Sequence, residues 1–246
     1  MVLNPLQELG RMGIFLFRTL MTVFVPPLKL RRVLKRVQFV GYQSLVIIVL
    51  TGLFTGMVLG YQGHYTLSRV GTTAFLGPMV ALSLLREMGP VLSALMVTAR
   101  AGSAISAEVG IMRINEEIDA LELMGLDPFR YHMVPIFLGT IISMPLLTMI
   151  FNAVGIGGGY LVGVRLLGVG SSTYFGEMAD YAELFDMLNS LYKSLVFGGI
   201  IAWVACYKGY HTGFGAEGVS QATTKAVVLS SVLILMSDYF LTSMLF

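Results

Sequence analysis

The stretch LLREMGPVLSALMVTARAGSAISAEVGIMRINEEIDALELMGLDP, residues 84–128, decides the fold. Its first part is apolar enough to enter a lipid bilayer, yet it carries Arg86, Glu87, Arg100 and Glu108. A charged side chain at the centre of a bilayer costs about 2.5–3.5 kcal/mol on insertion scales, and it usually faces a protein interior or a wet cavity. The stretch therefore predicts a membrane protein that contains a polar site of the transport type.

The composition of the whole chain agrees with this prediction. Of its 246 residues, 56% are hydrophobic and 12% are charged, whereas about a quarter of the residues of a soluble domain are charged. The formal net charge of +2 gives no indication of nucleic-acid binding, and the single cysteine, Cys206, excludes a disulfide within one chain. The sequence lacks a nucleotide-binding P-loop and an HExxH motif, and its three histidines show no metal-ligand spacing. We therefore expect no metal and no nucleotide on this chain.

Residues 1–36 are predicted to lie along the membrane surface. Their first part mixes Leu, Ile and Phe with arginine and is interrupted by Pro26-Pro27, which is typical of an amphipathic helix in the interface. A basic linker follows, which suits anionic head groups, and a solvated linker is the alternative. The cations of this linker are Lys29, Arg31, Arg32, Lys35 and Arg36.

Five later segments are long and apolar enough to cross a bilayer, which needs roughly 20 apolar residues. They lie near residues 38–62, 72–110, 131–168, 187–207 and 226–246, so the predicted fold is all-α. With the N-terminus inside, eleven Lys and Arg residues fall on the inner side and two, Arg69 and Arg165, on the outer side. The positive-inside rule therefore places the N-terminus inside and the C-terminus outside. An acidic outer loop is expected near residues 171–186.

Glycine and proline mark points of bending and of close packing. Gly89-Pro90 and Pro145 are expected to kink the second and third spans. Two stripes of glycine allow helix backbones to approach closely, either within the chain or between two copies of it. The stripes are Gly52, Gly56 and Gly60 in the first span, and Gly155, Gly159 and Gly163 in the third.

Four charged residues, Arg86, Glu87, Lys193 and Asp238, lie in three different predicted spans. Arg86 and Glu87 are adjacent and point about 100° apart on a helix, so they do not simply pair with each other. Each needs a partner on another helix, a head group or water, and Lys193 and Asp238 are candidates. Two interpretations stay open: an internal ion pair that fixes helix packing, and a polar cavity for a charged head group. In the second case, Glu87→Gln and Lys193→Met should both leave assembly nearly intact.

The segment between the second and third spans predicts a short amphipathic helix over residues 115–124. Asn115 can cap its start, Gly125 can close its end in a left-handed conformation, and Asp127-Pro128 can start the next span. Such a helix is either a plain surface helix or a docking site for a partner protein. Its apolar residues are Ile114, Ile118, Leu121 and Met124, and its acidic residues are Glu116, Glu117, Asp119 and Glu122.

Residues 84–139 resemble the hallmark of the MlaE/YrbE family of ABC-transporter permeases. The runs LTGLFTGMVLGYQG, residues 50–63, and GVSQATTKAVVLSSVLILMSDYFLTSMLF, residues 218–246, are also similar to that family. The resemblance implies a permease domain over residues 37–246 that forms a homodimer in the inner membrane of a Gram-negative bacterium. It implies a phospholipid substrate and a role in maintaining outer-membrane lipid asymmetry.

The resemblance also implies three kinds of protein partner. They are a cytoplasmic ABC ATPase dimer that binds ATP and Mg²⁺, a small STAS-domain subunit, and a periplasmic hexameric MCE-domain protein. Neither a cofactor nor an enzymatic activity is expected on this chain. The ATPase is expected to dock on a coupling helix near residues 112–125. The expected coupling residues are Arg113, Ile114, Glu116, Glu117, Ile118, Leu121, Glu122 and Met124.

A substrate cavity is expected at the membrane-embedded charges. Its polar residues are expected to be Arg86, Glu87, Lys193 and Asp238, and its acyl-chain wall the stripe Leu53, Met57 and Tyr61. Two other functions stay open. A gradient-driven secondary transporter would use Glu87 and Asp238 as proton carriers, although the sequence shows no repeat halves. An intramembrane enzyme acting on lipids would need a nucleophile or metal constellation, which the sequence lacks.

Overall fold

A computed structural model of the protein describes residues 5–23 and 30–245. Throughout this part of the chain the regular structure is helical, without a strand, and eleven α-helices follow one another. They are α1 (Pro5–Val23), α2 (Leu30–Val40), α3 (Leu45–Val70), α4 (Leu76–Ser83), α5 (Gly89–Val97), α6 (Ser103–Ile114), α7 (Glu117–Leu123), α8 (Val134–Tyr160), α9 (Ser171–Tyr181), α10 (Leu184–Tyr210) and α11 (Gly215–Leu245).

Five runs of helix are long and apolar enough to cross a membrane. They cover Leu30–Val70, Thr73–Ile114, Phe129–Leu166, Leu184–Tyr210 and Gly215–Leu245. Each run overlaps one predicted span, so the prediction of an all-α polytopic protein with five spans is confirmed. The fifth run starts before the predicted residue 226, because the polar turns that follow Gly215 continue the helix beyond its apolar part.

The predicted basic linker forms part of a helix. Arg31, Arg32, Lys35 and Arg36 lie on α2, which leads into the first of the five runs. Neither glycine nor proline occurs between residues 30 and 40, so no helix breaker interrupts this segment. The predicted break at Pro26-Pro27 and the cation Lys29 lie outside the described residues.

The predicted outer loop near residues 171–186 contains a helix, α9, which the sequence analysis did not predict. Tyr174 anchors α9, because its side chain is fully buried and its hydroxyl donates a hydrogen bond to the carbonyl of Ile156 at 3.2 Å. Burial raises the pKa of the Tyr174 hydroxyl to about 12, so the hydroxyl remains a donor at physiological pH. One buried aromatic ring thus stabilises a helix whose sequence is otherwise largely polar.

The second run departs from α-helical geometry at two points. The π-helical turns Leu84–Met88 and Thr98–Gly102 each use a hydrogen-bond step one residue longer than in an α-helix. The first of them ends at Gly89-Pro90, where the sequence predicts a kink, because Pro90 lacks the N–H that would continue the ladder. The helix is therefore irregular at the predicted place, whereas α8 continues through Pro145.

The described chain divides into two compact units, to which the long helices contribute different parts. The first unit comprises the described part of Met1–Tyr42 with Val97–Ser143 and Gly198–Ile234, and the second comprises Gln43–Met96, Met144–Phe197 and the described part of Leu235–Phe246. In the first unit, the indole Nε1 of Trp203 donates a hydrogen bond to the carbonyl of Met12 at 2.9 Å and thereby holds α1. A hydrogen bond from Lys208 lowers the pKa of the Glu8 carboxyl near the start of α1.

One face of α1 is buried and the other is open. The buried residues are Met12, Phe15 and Thr19, and the exposed apolar residues are Ile14, Phe17 and Met21. A helix with apolar side chains on its open face is suited to the membrane interface. The interfacial position of α1 stays a prediction.

In the second unit, the two glycine stripes face each other. A β-carbon at Gly56 would overlap the carbonyl group of Gly155, and one at Gly60 would lie 3.0 Å from the carbonyl oxygen of Gly159. Here α3 and α8 therefore pack backbone against backbone within one chain, which small residues allow where the solvent is lipid. Of the two possibilities that the sequence left open, these glycines serve packing within the chain.

We predict that Gly56→Ala lowers the melting temperature, because the added methyl group must push α3 away from α8. Overpacking of this kind costs about 1–3 kcal/mol, and the overlapping atoms belong to the backbone, which cannot rotate away. The matched control is Gly157→Ala on α8, where a β-carbon would meet nothing within 4 Å. Equal melting temperatures for the two purified variants in the same detergent would contradict the backbone packing.

The span number and the charge bias predict opposite accessibility for Ser171 and Asn115, which are both exposed. On a Cys206→Ser background, Ser171→Cys should react with an impermeant maleimide added to intact spheroplasts. Asn115→Cys should react only after permeabilisation, because the positive-inside rule places it on the inner side. The reverse labelling pattern would invert the predicted orientation.

Candidate functional site

A buried lysine forms the centre of a polar cluster in the second unit. Lys193 on α10 is fully buried, and its Nζ lies 3.1 Å from Glu87 Oε2 and 2.9 Å from Asp238 Oδ1. Nζ also donates a hydrogen bond to Thr242 Oγ1 at 2.7 Å, and this hydroxyl donates in turn to Glu87 Oε1 at 3.0 Å. We call Glu87, Lys193, Asp238 and Thr242 the Lys193 cluster. The structure thus brings together three charged residues that the sequence places on three different spans.

The backbone near Pro90 supplies a further partner for the ammonium group. In a regular α-helix the carbonyl of Arg86 would accept a hydrogen bond from the N–H of residue 90, but proline has no N–H. The carbonyl oxygen of Arg86 accepts a hydrogen bond from Lys193 Nζ at 2.8 Å instead. Beside it, the Oδ1 atom of Asn152 occupies the space that a β-carbon at Gly89 would need. The Gly-Pro pair therefore shapes the site, because it provides both a backbone acceptor and room for a polar neighbour.

The Lys193 cluster contains one more acid than it has bases. An ammonium group has three N–H donors, and the Arg86 carbonyl, Glu87 and Thr242 accept all three. The Oδ1 atom of Asp238 is close enough to Nζ for an ion pair but has no hydrogen bond within the described part of the chain. A buried carboxyl oxygen without a hydrogen bond is costly. The cluster therefore retains the capacity to accept one more donor or cation.

The side chains of the Lys193 cluster differ in their exposure to solvent. The Lys193 side chain is 0% exposed and the Asp238 side chain 16% exposed, whereas the Glu87 side chain is 42% exposed. A carboxylate exposed at the depth of a membrane-spanning helix needs water, a head group or another protein around it. Glu87 is thus the accessible member, and Lys193 is the member that holds the helices together.

Arg86 has an ion-pair partner that the sequence did not suggest. Its Nε donates a hydrogen bond to Asp186 Oδ1 at 2.7 Å, and the Asp186 side chain is 1% exposed. The sequence interpretation placed Asp186 in the outer loop, but α10 begins at Leu184, so Asp186 lies in the first turn of that helix. The positive end of the helix dipole favours a carboxylate there. An acidic residue just before a long apolar segment is the signal that would have identified this partner.

The stripe expected to form an acyl-chain wall is only partly open. Leu53 and Met57 are half-buried, and their backbone lies against Gly158 of α8, whereas Tyr61 is 62% exposed. Leu53 and Met57 therefore contribute to helix packing. The open apolar stripe of α3 shares only Tyr61 with the expected stripe and consists of Leu50, Phe54, Val58, Tyr61 and Tyr65.

The segment expected to dock a partner contains α7, which belongs to the first unit. Ile118 is 1% exposed and Leu121 is 9% exposed, so these two residues attach α7 to its own chain and do not face a partner. Asn115 does not cap α7, because Glu116 stands between them in a left-handed conformation with φ 59°. The helix closes at Gly125, which has φ 70° as the sequence predicts.

The next helical run starts as predicted, since Asp127 Oδ1 accepts a hydrogen bond from the N–H of Phe129 at 3.0 Å. Before α7, Arg113 is bound to Asp119 at 2.5 Å, and Ile114 is half-buried. Five further exposed side chains of this segment are either acidic or large and apolar. We call them the outer face of α7, and they are Glu116, Glu117, Glu122, Leu123 and Met124. Leu123 is 90% exposed, and the sequence interpretation missed it because a leucine at helical spacing is usually buried.

Among residues 5–23 and 30–245, no group of His, Cys, Asp and Glu side chains is arranged to hold a metal ion. Two sites stand out: the Lys193 cluster in the second unit and the outer face of α7 in the first.

Comparisons with known proteins agree with these observations. The sequence model of the family described as Permease MlaE matches residues 33–244. The "Probable ABC transporter permease protein" of Rickettsia bellii is 42% identical over 240 residues, which are 98% of this chain and 93% of that protein. The "Intermembrane phospholipid transport system permease protein MlaE" of Haemophilus influenzae is 42% identical over 248 residues, covering 100% of this chain and 94% of that protein.

A more distant relative is "Protein TRIGALACTOSYLDIACYLGLYCEROL 1, chloroplastic" of Arabidopsis thaliana, which is 33% identical over 216 residues. These residues are 88% of this chain and 62% of that protein. The similarity to the bacterial permeases extends over nearly the whole chain, and the matched range contains the membrane runs, the Lys193 cluster and α7. The chain therefore belongs to the MlaE family of permeases.

Proposed function

We propose that the protein is the membrane-spanning subunit of an ATP-driven ABC transporter that moves phospholipids between the inner membrane and periplasmic lipid carriers. In a Gram-negative bacterium this activity maintains the lipid asymmetry of the outer membrane. The family and the name of the Haemophilus influenzae relative support the substrate class. The structural observation that carries the proposal is the half-open Lys193 cluster, which keeps charged groups accessible within membrane-spanning helices.

A phospholipid head group carries charge, so its passage needs polar groups where lipid tails provide none. Glu87 and its neighbour Arg86, whose side chain is 39% exposed, are partly exposed charges of opposite sign on adjacent residues, and each is held by an ion pair to another helix. Such a pair suits a zwitterionic or an anionic head group, because either sign finds a counterpart there. In this proposal the acyl chains lie along the open apolar stripe of α3, from Leu50 to Tyr65.

In this proposal the energy comes from partner proteins. A cytoplasmic ATPase dimer binds ATP and Mg²⁺ and docks on the outer face of α7, where three glutamates surround the exposed Leu123. A STAS-domain subunit accompanies the ATPase, a hexameric MCE-domain protein receives or supplies lipid on the periplasmic side, and two copies of this chain form the permease. A helix whose inner side is fixed by Ile118 and Leu121 is suited to transmitting force from such a partner.

We predict that Glu87→Gln lowers mainly lipid transfer, whereas Lys193→Met lowers mainly the stability of the fold. Glu87 is half-exposed, so Glu87→Gln should leave the melting temperature nearly unchanged but lower lipid transfer about tenfold, the size of one lost contact to a charged group. Lys193 is fully buried between two carboxyl groups, so Lys193→Met should cost about 3–5 kcal/mol of stability. The burial of Lys193 thus changes the sequence expectation that both variants would assemble normally.

Reconstituted lipid transfer and melting temperature, measured side by side on the purified complex, test this difference. Asp180→Asn on α9 is the control, because Asp180 is an exposed acid of the same unit that makes no side-chain hydrogen bond or ion pair with the other described residues. It should change neither quantity. If Glu87→Gln lowers stability and transfer equally, then Glu87 is a packing residue and the cavity assignment fails.

We predict that the double substitution Glu116→Lys with Glu117→Lys disrupts coupling to the ATPase. Both side chains are exposed on the outer face of α7, and reversing a charge at a desolvated contact costs about 2–5 kcal/mol. Co-purification of the ATPase should fall at least about tenfold, and its hydrolysis should no longer respond to lipid. Leu123→Asp should have the same effect, because it places a charge on the exposed apolar side chain.

The matched control reverses Glu177 and Asp180 on α9, which removes the same number of acids from another helix. It should leave the ATPase bound. Normal complex yield and normal lipid-stimulated hydrolysis in the α7 variants would exclude the docking assignment. A chain that transports lipid without any stoichiometric ATPase would instead favour the gradient-driven mechanism.

A further inference from the structure

A cleft of about 540 Å³ in the first unit is lined mainly by basic and aromatic side chains. It lies at the start of the run Leu30–Val70, at the end of Thr73–Ile114 and at the start of Phe129–Leu166. Because consecutive spans alternate in direction, these three ends lie on the same side of the bilayer. The positive-inside rule makes it the inner side. The volume of the cleft is within the range of roughly 300–1,000 Å³ that is usual for ligand sites.

One of the cations that line the cleft, Arg36, is paired with an acid. Arg36 on α2 donates two hydrogen bonds to Glu108 on α6, with Nη1–Oε2 at 2.6 Å and Nη2–Oε1 at 2.5 Å. A bidentate pair of this kind fixes both side chains. The His132 ring lies next to it, with Nε2 at 3.4 Å from Nη2 of Arg36.

Two further cations of α2, Arg32 and Lys35, line the same cleft and form no ion pair with an acid among the described residues. Lys35 is exposed on α2 and makes no hydrogen bond or ion pair within the described residues. Arg32 donates a hydrogen bond to the carbonyl of Tyr131 at 3.0 Å, and its guanidinium carbon lies 3.3 Å over the centre of the Tyr131 ring. These contacts hold the guanidinium in place but leave its charge without a counter-ion in the part of the chain that is described. The cleft thus contains three cationic side chains and a single carboxylate, Glu108.

The surroundings of the cleft indicate what kind of anion it takes. On the same helix as the two cations, Leu30 is 71% exposed and Leu34 is 67% exposed. Exposed leucines beside basic side chains at the end of a membrane-spanning run are suited to acyl chains and head groups together. A soluble anion has no apolar part that could contact Leu30 and Leu34. The occupant is therefore amphiphilic and negatively charged.

We propose that this cleft binds the phosphate group of an anionic phospholipid of the surrounding bilayer. Lys35 and Arg32 bind the phosphate, while Arg36, held by Glu108, lines the cleft one helical turn after Arg32. This site belongs to the first unit, whereas the Lys193 cluster belongs to the second. It is a site for a resident lipid, and it does not depend on the proposed transport activity.

The test counts the lipid molecules that the purified full-length chain retains in native mass spectrometry, with phosphatidylglycerol or phosphatidylcholine as the probe. Wild type should retain phosphatidylglycerol in preference to phosphatidylcholine. Lys35→Gln should weaken this retention about fivefold, the share of one cation near a membrane surface, and Lys35→Arg should restore it. The matched control is Arg31→Gln, which removes an exposed cation from the same helix outside the cleft and should change little.

Glu108→Gln should change the retention of phosphatidylglycerol in the opposite direction. It removes the one carboxylate of the cleft, so phosphatidylglycerol should be retained more strongly than by wild type. Equal loss in Lys35→Gln and Arg31→Gln would show diffuse surface attraction and overturn the site. Equal retention of the two lipids would also overturn it, as would full displacement of phosphatidylglycerol by inorganic phosphate, since the cleft would then take the free anion.

Discussion

The structure of the second unit depends on keeping one ammonium group bound in a place that excludes water. Hydrocarbon offers no partner to a charge or to a free backbone group, so the chain must supply every partner itself. Lys193 finds them on two separate elements: the carbonyl of Arg86 and the carboxyl group of Glu87 in the π-helical turn before Pro90, and the side chains of Asp238 and Thr242 on α11. The irregular turn before Gly89-Pro90 thus has a structural role, because its Arg86 carbonyl accepts one of the hydrogen bonds of the ammonium group.

The sequence predicts the large features of this fold because they follow from local patterns. Span number follows from runs of apolar residues, close helix contact from glycines four apart, and the meeting of Glu87, Lys193 and Asp238 from the cost of leaving charges alone in lipid. None of these predictions requires knowledge of the register between helices. They also account for most of the residues that form the candidate site.

The features that sequence reasoning missed depend on which side of a helix faces inward. Asp186 was assigned to a loop because the start of α10 was placed too late, and α9 was missed because one buried ring, Tyr174, stabilises it. The sequence predicted the apolar face of α7 but not what that face packs against. Ile118 and Leu121 fit the expected apolar face, but that face turns to the chain itself and leaves Leu123 outside. Periodicity shows that a helix has two faces, but tertiary contacts decide which of them is covered.

The contact between α3 and α8 has a consequence for how the protein can move. Where Gly56 meets Gly155, the touching atoms belong to the backbone, and no side chain can change its rotamer to absorb a displacement. Such a surface does not yield gradually: the two segments either travel as one piece or separate altogether. A conformational change within the second unit must therefore be taken up away from this contact, and the π-helical turns Leu84–Met88 and Leu161–Leu166 are two places in that unit where a helix already deviates from regular geometry.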